Sequence, residues 1–168
     1  MKTLLRALIS LCLIVWIGAE IFFPIVAALA FGILAPDTHT AGRIVGSCLS
    51  VLHYEGLVAG ALLVLFIILG SRIGMFCGRK LYVALVLVVL MLALTAVSQF
   101  GIMPRMEKYR IEAGGAIDSA ALDDPARVAF ERLHKTSENV EEGVLFLGLV
   151  LIGFLAASVE TKVPAKRL

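Results

Sequence analysis

Three observations predict an all-α integral membrane protein, a bundle of four transmembrane helices. The first is the distribution of charge. The only charged residue in Ala7 to Ala35 is Glu20, and Ile44 to Gly70 has one charge, Glu55, and one histidine, His53, while Leu81 to Met103 and Gly143 to Val159 hold no charged residue. The second is length: crossing a hydrocarbon core of roughly 30 Å takes about 20 residues, with a range of about 17–25, and each stretch reaches it. The third is composition, with 60% hydrophobic residues and a mean hydropathy of +0.98. Lipid offers no hydrogen bonds, so a spanning segment has to satisfy its own amides and must be helical.

The helices are expected at about 5–35, 43–70, 79–112 and 125–159, all within a single domain spanning 1–168. In the first, Pro24 interrupts the pattern. It cannot donate to the carbonyl of Glu20 four residues earlier, so a freed carbonyl and an ionisable side chain coincide near mid-membrane. Pro36-Asp37-Thr38 ends this helix. The third helix continues past Pro104 into the polar Arg105–Arg110, which should protrude beyond the outer face, until Gly114-Gly115 breaks it. Asp123-Asp124-Pro125 reads as a helix start, with a capping aspartate and proline in the first turn. The last helix is then about 35 residues, or roughly 50 Å, so its charged first half also extends beyond the outer face.

Composition excludes several classes. The net charge of +2 is spread near helix ends and does not point to nucleic acid. The polar stretch from Pro104 to Glu142 is too short for a core of its own. Cys12, Cys48 and Cys77 share no metal or redox spacing and read as packing residues. The apolar run after Lys2 and Arg6 exceeds the h-region of a signal peptide, despite Ala28-Leu29-Ala30, and so reads as an uncleaved first helix. The loop Ser71–Lys80 carries three basic residues against one in Pro36–Arg43. Together with the basic N-terminus this favours both termini on the cytoplasmic side of the cell membrane.

Two helical faces carry the candidate site residues. On helix 2, Gly42, Gly46, Ser50, Gly56 and Gly60 lie within about 60° of His53 at about 100° per residue. They form a small-residue stripe suited to close helix packing, with a histidine set into it. Glu55 points nearly opposite and needs another partner. On helix 4, Arg127, Phe130, Glu131, His134, Glu138, Glu141, Leu145, Gly148 and Ile152 share one side. Gln99 and Thr95 share a face of helix 3 and are expected to bond across helices. A polar interior or proton relay would use Glu20, His53, Gln99, His134, Glu138 and Glu141, since ionisable groups at membrane depth are costly and usually have a task.

No cofactor is expected, with a metal or haem as the alternative. Glu131-x-x-His134 has the spacing of a carboxylate-bridged metal site but occurs once, so His53, Glu131 and His134 would have to make up the metal set. Haem held by His53 and His134 meets a depth difference of roughly 25 Å. His39 reads as a solvated loop residue. There is no Ser-His-Asp set, phosphate-binding glycine loop or zinc-protease motif, so an enzyme is not expected.

The order of features resembles a known family, that related to transmembrane protein 205. It is carried by Trp16-x-Gly18 with Phe22-Phe23 and Phe31, the glycine-rich start of helix 2 with Leu52-His53, Pro104-Arg105, and Phe130-x-x-x-His134-x-x-Ser137. The acidic cluster Glu138, Glu141 and Glu142 departs from its more apolar members. The resemblance implies a four-helix membrane protein, whose bacterial members carry a domain of unknown function, and supplies no substrate. Three functions follow from these readings: a non-enzymatic multi-pass membrane protein with a polar intramembrane interior, a metal- or haem-binding one, and a small proton-linked transporter or channel component. The lipid bilayer is the expected partner, with a homo-oligomer because four helices make a narrow pore.

Overall fold

The computed structural model describes residues 1–160, and the side chains of residues 158–160 are not among those described. Helix α1 spans Lys2–Ile33, α2 Thr38–Arg72, α3 Arg79–Val97, α4 Met103–Glu112 and α5 Pro125–Glu160. A π-helical turn at Ser98–Ile102 joins α3 to α4, and a 3₁₀ turn lies at Ile117–Ser119. With α3 and α4 taken as one rod, four helices are long and apolar enough to cross a membrane. The chain is thus an all-α membrane bundle. In sequence, α1 neighbours α2, α2 neighbours α3, α3 neighbours α5, and α5 closes back on α1. The basic tail residues Lys162, Lys166 and Arg167, used in the orientation reading, lie outside the described residues.

The helix ends follow local chemistry. Asp37 starts α2 five residues earlier than expected, because its Oδ1 accepts from the Thr40 amide at 2.9 Å. That hydrogen bond holds its carboxyl below the usual range. His39, expected in a loop, therefore sits in the first turn of α2. Asp124 caps α5, its Oδ1 accepting from the amides of Ala126 at 2.8 Å and Arg127 at 3.1 Å. Gly114 and Gly115 end α4 at φ 84° and 92°, a conformation that L side chains rarely adopt.

Pro24 does not interrupt α1, which runs through it to Ile33. A transmembrane helix tolerates an internal proline because its neighbours can satisfy the freed carbonyl. Pro104 acts differently. It lacks the N–H that would bond to Phe100, and the turn before it widens, with the Met103 amide donating to Ser98.

The apolar core occupies one end of the bundle. It comprises Ile9, Cys12, Leu13, Trp16 and Ile17 of α1, Ala59, Leu63 and Ile67 of α2, Ala84, Val88 and Met91 of α3, and Val144 and Leu151 of α5. All lie on the side of the α1 N-terminus and the α2–α3 turn. Large apolar residues on the outside, among them Ile14, Ile21, Ile25, Val51, Val58, Val89 and Phe146, form a girdle that lipid would cover. Close approach depends on glycine at three places. A Cβ on Gly56 would come 2.5 Å from Trp16 Nε1, one on Gly60 2.5 Å from Leu92 Cδ2, and one on Gly148 would collide with Ile17. Gly42 and Gly46 have no such neighbour closer than 4.0 Å, so the small-residue stripe packs tightly only in its second half.

Candidate functional site

Directly beyond the apolar core each of the four long helices contributes polar residues at one level. Glu20 of α1, His53 of α2, Thr95 of α3, Ser98 and Gln99 of the π turn, and Ser137 of α5 are all buried. Glu141 of α5 joins them with 15% of its side chain exposed.

His53 is the hub. It is fully buried, with Nδ1 2.9 Å from Gln99 Oε1 and Nε2 2.9 Å from Glu141 Oε1. Gln99 Nε2 donates to Ser50 Oγ at 3.1 Å, which leaves Oε1 as the acceptor, so the hydrogen on this side belongs to Nδ1. The Ser98 hydroxyl donates to the same Glu141 oxygen at 2.8 Å. One proton therefore lies between Nε2 and Glu141. Placed on the ring it makes an imidazolium–carboxylate pair, and placed on the carboxyl it makes two neutral groups. Both arrangements are neutral overall, which suits a site where net charge is costly.

The π turn explains how one rod supplies both bonds. Its extra residue brings the adjacent Ser98 and Gln99 into the bundle, Ser98 toward α5 and Gln99 toward α2. A regular helix would separate neighbouring side chains by about 100°. Pro104, read at first only as the start of a polar extension, is what favours the widened turn.

Glu20 completes the cluster. It lies within electrostatic reach of Glu141, His53 and Glu55. Its Oε1, Trp16 Nε1, Thr95 Oγ1 and Glu141 Oε2 are buried without a hydrogen bond. Trp16 lies one turn before Glu20 on α1, with its indole N–H near that carboxyl. With Nδ1 protonated, a neutral cluster holds two further protons among Glu20, His53 and Glu141. The arrangement can hold protons among buried groups and exchange one between a carboxyl and an imidazole.

The structure thus brings together Glu20, His53, Gln99 and Glu141, and leaves His134 and Glu138 apart. Those two pair with each other at 3.5 Å on exposed α5 surface, at 59% and 47% exposure. His134 lies seven residues before Glu141, roughly 10 Å along the helix. Glu131 is exposed too, bound to Arg127 at 2.9 Å. The face of α5 that turns inward carries Ser137, Val144, Gly148 and Leu151, rotated from the predicted stripe, and Ile152 lies outside at 38% exposure. His53, Glu131 and His134 consequently form no ligand set. Both His53 nitrogens are engaged within the bundle, and among the described residues no three His, Cys, Asp or Glu side chains are placed to share a metal ion. Thr95, expected to bond across helices, makes no such bond, whereas Gln99 makes two. Ser98 was not anticipated; its signal was adjacency to Gln99 just before a proline.

No curated protein and no solved structure matches the chain. A family model described as a domain of unknown function, DUF4149, matches residues 11–114. The matched stretch runs from α1 to the end of α4 and includes Glu20, His53, Ser98 and Gln99 but not Glu141 on α5. By that match over more than half of its length, the chain belongs to the DUF4149 family.

Proposed function

We propose that the protein is a proton-linked membrane transporter or channel component, non-enzymatic and related to the transmembrane protein 205 family, with the Glu20–His53–Glu141 cluster as its proton-holding site. The observation that carries this reading is a fully buried imidazole bonded on one side to a fixed amide and on the other to a carboxyl. A merely structural polar contact needs neither a second carboxyl nor a shared proton. Below the cluster the apolar core closes the path toward the end holding the α1 N-terminus. Proton passage in that direction requires the helices to shift, and the close contacts at Gly56, Gly60 and Gly148 mark where they slide. We place both termini in the cytoplasm and the chain in a homo-oligomer within the cell membrane, with no nucleic-acid partner.

The test is proton uptake into proteoliposomes carrying an internal pH dye, with potassium and valinomycin balancing charge. Wild-type protein is expected to admit protons faster than empty liposomes, and Glu20→Gln and Glu141→Gln to abolish the gain while remaining folded. Equal uptake by wild type and both variants would exclude the cluster from the path.

A further inference from the structure

The outward face of α2 changes character along its length. Near its start Thr40, Arg43 and Ser47 line a polar pocket of about 310 Å³. Further along the same helical row, at steps of three or four residues, come Val51, Tyr54 and Val58. They line an aliphatic groove of about 570 Å³ between α2 and Val15 of α1. Val15, Val51 and Val58 belong to the outward girdle, so the groove is open to lipid.

Arg43 stands at the boundary between the two. The apolar stretch of α2 begins at Ile44, which puts the guanidinium at headgroup level and the groove at the depth of acyl chains. Glu107 lies within electrostatic reach of Arg43. That carboxylate is held through both oxygens by Arg110, at 2.6 and 2.8 Å. Asp37, at the start of the same helix, accepts from the Thr40 amide at 2.9 Å. The Ser47 hydroxyl donates to the Arg43 carbonyl at 2.9 Å. Among the described residues the donors left to the pocket are therefore the Arg43 guanidinium and the Thr40 hydroxyl. A guanidinium fork with a hydroxyl beside it suits a phosphate. Both acids near the pocket are engaged, so a headgroup carrying its own ammonium finds no partner there.

The lengths agree with a lipid. Half of a bilayer, headgroups included, is about 20–22 Å thick. Val58 lies 15 residues beyond Arg43, roughly 22 Å along α2. A chain hanging from a phosphate at Arg43 thus passes Val51 and Tyr54 and ends near Val58. The groove presents almost no polar surface along that line, and Glu55 keeps its Oε1 shielded. We propose that α2 holds one anionic phospholipid in the leaflet opposite the α1 N-terminus. Its phosphate sits on Arg43 and one acyl chain lies in the α1–α2 groove. This site stands apart from proton holding at the His53 cluster.

Native mass spectrometry of the full chain, delipidated in mild detergent, tests this by titration with phosphatidylglycerol and with phosphatidylethanolamine of the same chains. Wild type should take up one phosphatidylglycerol saturably and about tenfold or more tightly than phosphatidylethanolamine. Arg43→Gln should bring phosphatidylglycerol to the level of the zwitterion, as loss of a charge-assisted contact implies. Val51→Trp, which obstructs the groove and leaves Arg43 in place, should weaken the lipid with an unchanged elution profile. Arg105→Gln, which removes the same charge from the exposed start of α4, should change nothing. Glycerol 3-phosphate, a phosphate ester without acyl chains, should fail to displace the lipid at equal concentration. Equal binding by Arg43→Gln, equal affinity for the two lipids, or absence of a saturable first lipid would each overturn the proposal. So would displacement by glycerol 3-phosphate, since the pocket would then serve a free phosphate ester.

Discussion

Replacing His53 with alanine separates bonding from proton chemistry when it is compared with Glu141→Gln. The His53 ring bridges two helices, to Gln99 on one side and Glu141 on the other. Its removal strands Gln99 Oε1, because Ser50 engages the amide nitrogen instead. Glu141 Oε1 keeps only Ser98. A helix–helix hydrogen bond in a membrane contributes about 0.6 kcal/mol on average and up to about 1.7, so the two together come to about 1–3 kcal/mol. Truncating a large buried side chain adds about 2–5 kcal/mol in water, and lipid lowers the transfer share of that. His53→Ala should therefore cost about 3–6 kcal/mol. Glu141→Gln, with its amide nitrogen in the place of Oε1, can donate one hydrogen to Nε2 and the other to the Ser98 hydroxyl oxygen, which both meet that atom, and should cost below about 1 kcal/mol. Helicity followed by circular dichroism during sodium dodecyl sulfate titration in mixed micelles gives both values. A His53→Ala cost within about 1 kcal/mol of zero would refute the hub, as would a Glu141→Gln cost equal to it.

Further predictions concern packing, capping and topology. Gly148→Val drives a branched side chain into Ile17 and toward Met91 and should destabilise by about 1–3 kcal/mol, whereas Gly46→Ala, with open space around it, should leave the same titration unmoved. Asp124→Ala removes the acceptor for two amides at the start of α5 and should cost about 0.5–2 kcal/mol, read from thermal loss of helicity. Cys77 is exposed and Cys12 buried, so a maleimide should label Cys77 in native protein and Cys12 only after unfolding. In intact cells a membrane-impermeant maleimide should spare Cys77 until the membrane is opened, and labelling from outside would reverse the proposed orientation.

The four membrane helices were legible because lipid imposes one rule on every residue of a span: long uncharged runs must be helices, and breaks such as Gly114-Gly115 must lie outside them. The co-location of Glu20, His53 and Gln99 was legible in part, since each is a polar exception in an apolar face. The face of α5 was not. Its first half is charged all round, and a helical wheel cannot tell which acid turns inward when solvent and bundle both accept one. Glu141 is selected by depth, lying just before the uncharged run at Gly143, and the wheel does not register depth. The π turn was hidden for a related reason: the extra residue shifts the phase of everything after Ser98, while a wheel assumes constant phase. Pro104 was the available signal.

The central claim is that His53 holds a proton between itself and Glu141 inside the membrane. It is tested most directly by nitrogen-15 NMR of histidine-labelled protein in bilayers, with His39 and His134 replaced by glutamine so that His53 alone reports. The account predicts a protonated Nδ1 at every pH, both ring nitrogens hydrogen-bonded, and a change confined to Nε2 in Glu141→Gln. A ring that titrates as a free, water-exposed imidazole and ignores Glu141→Gln would contradict it.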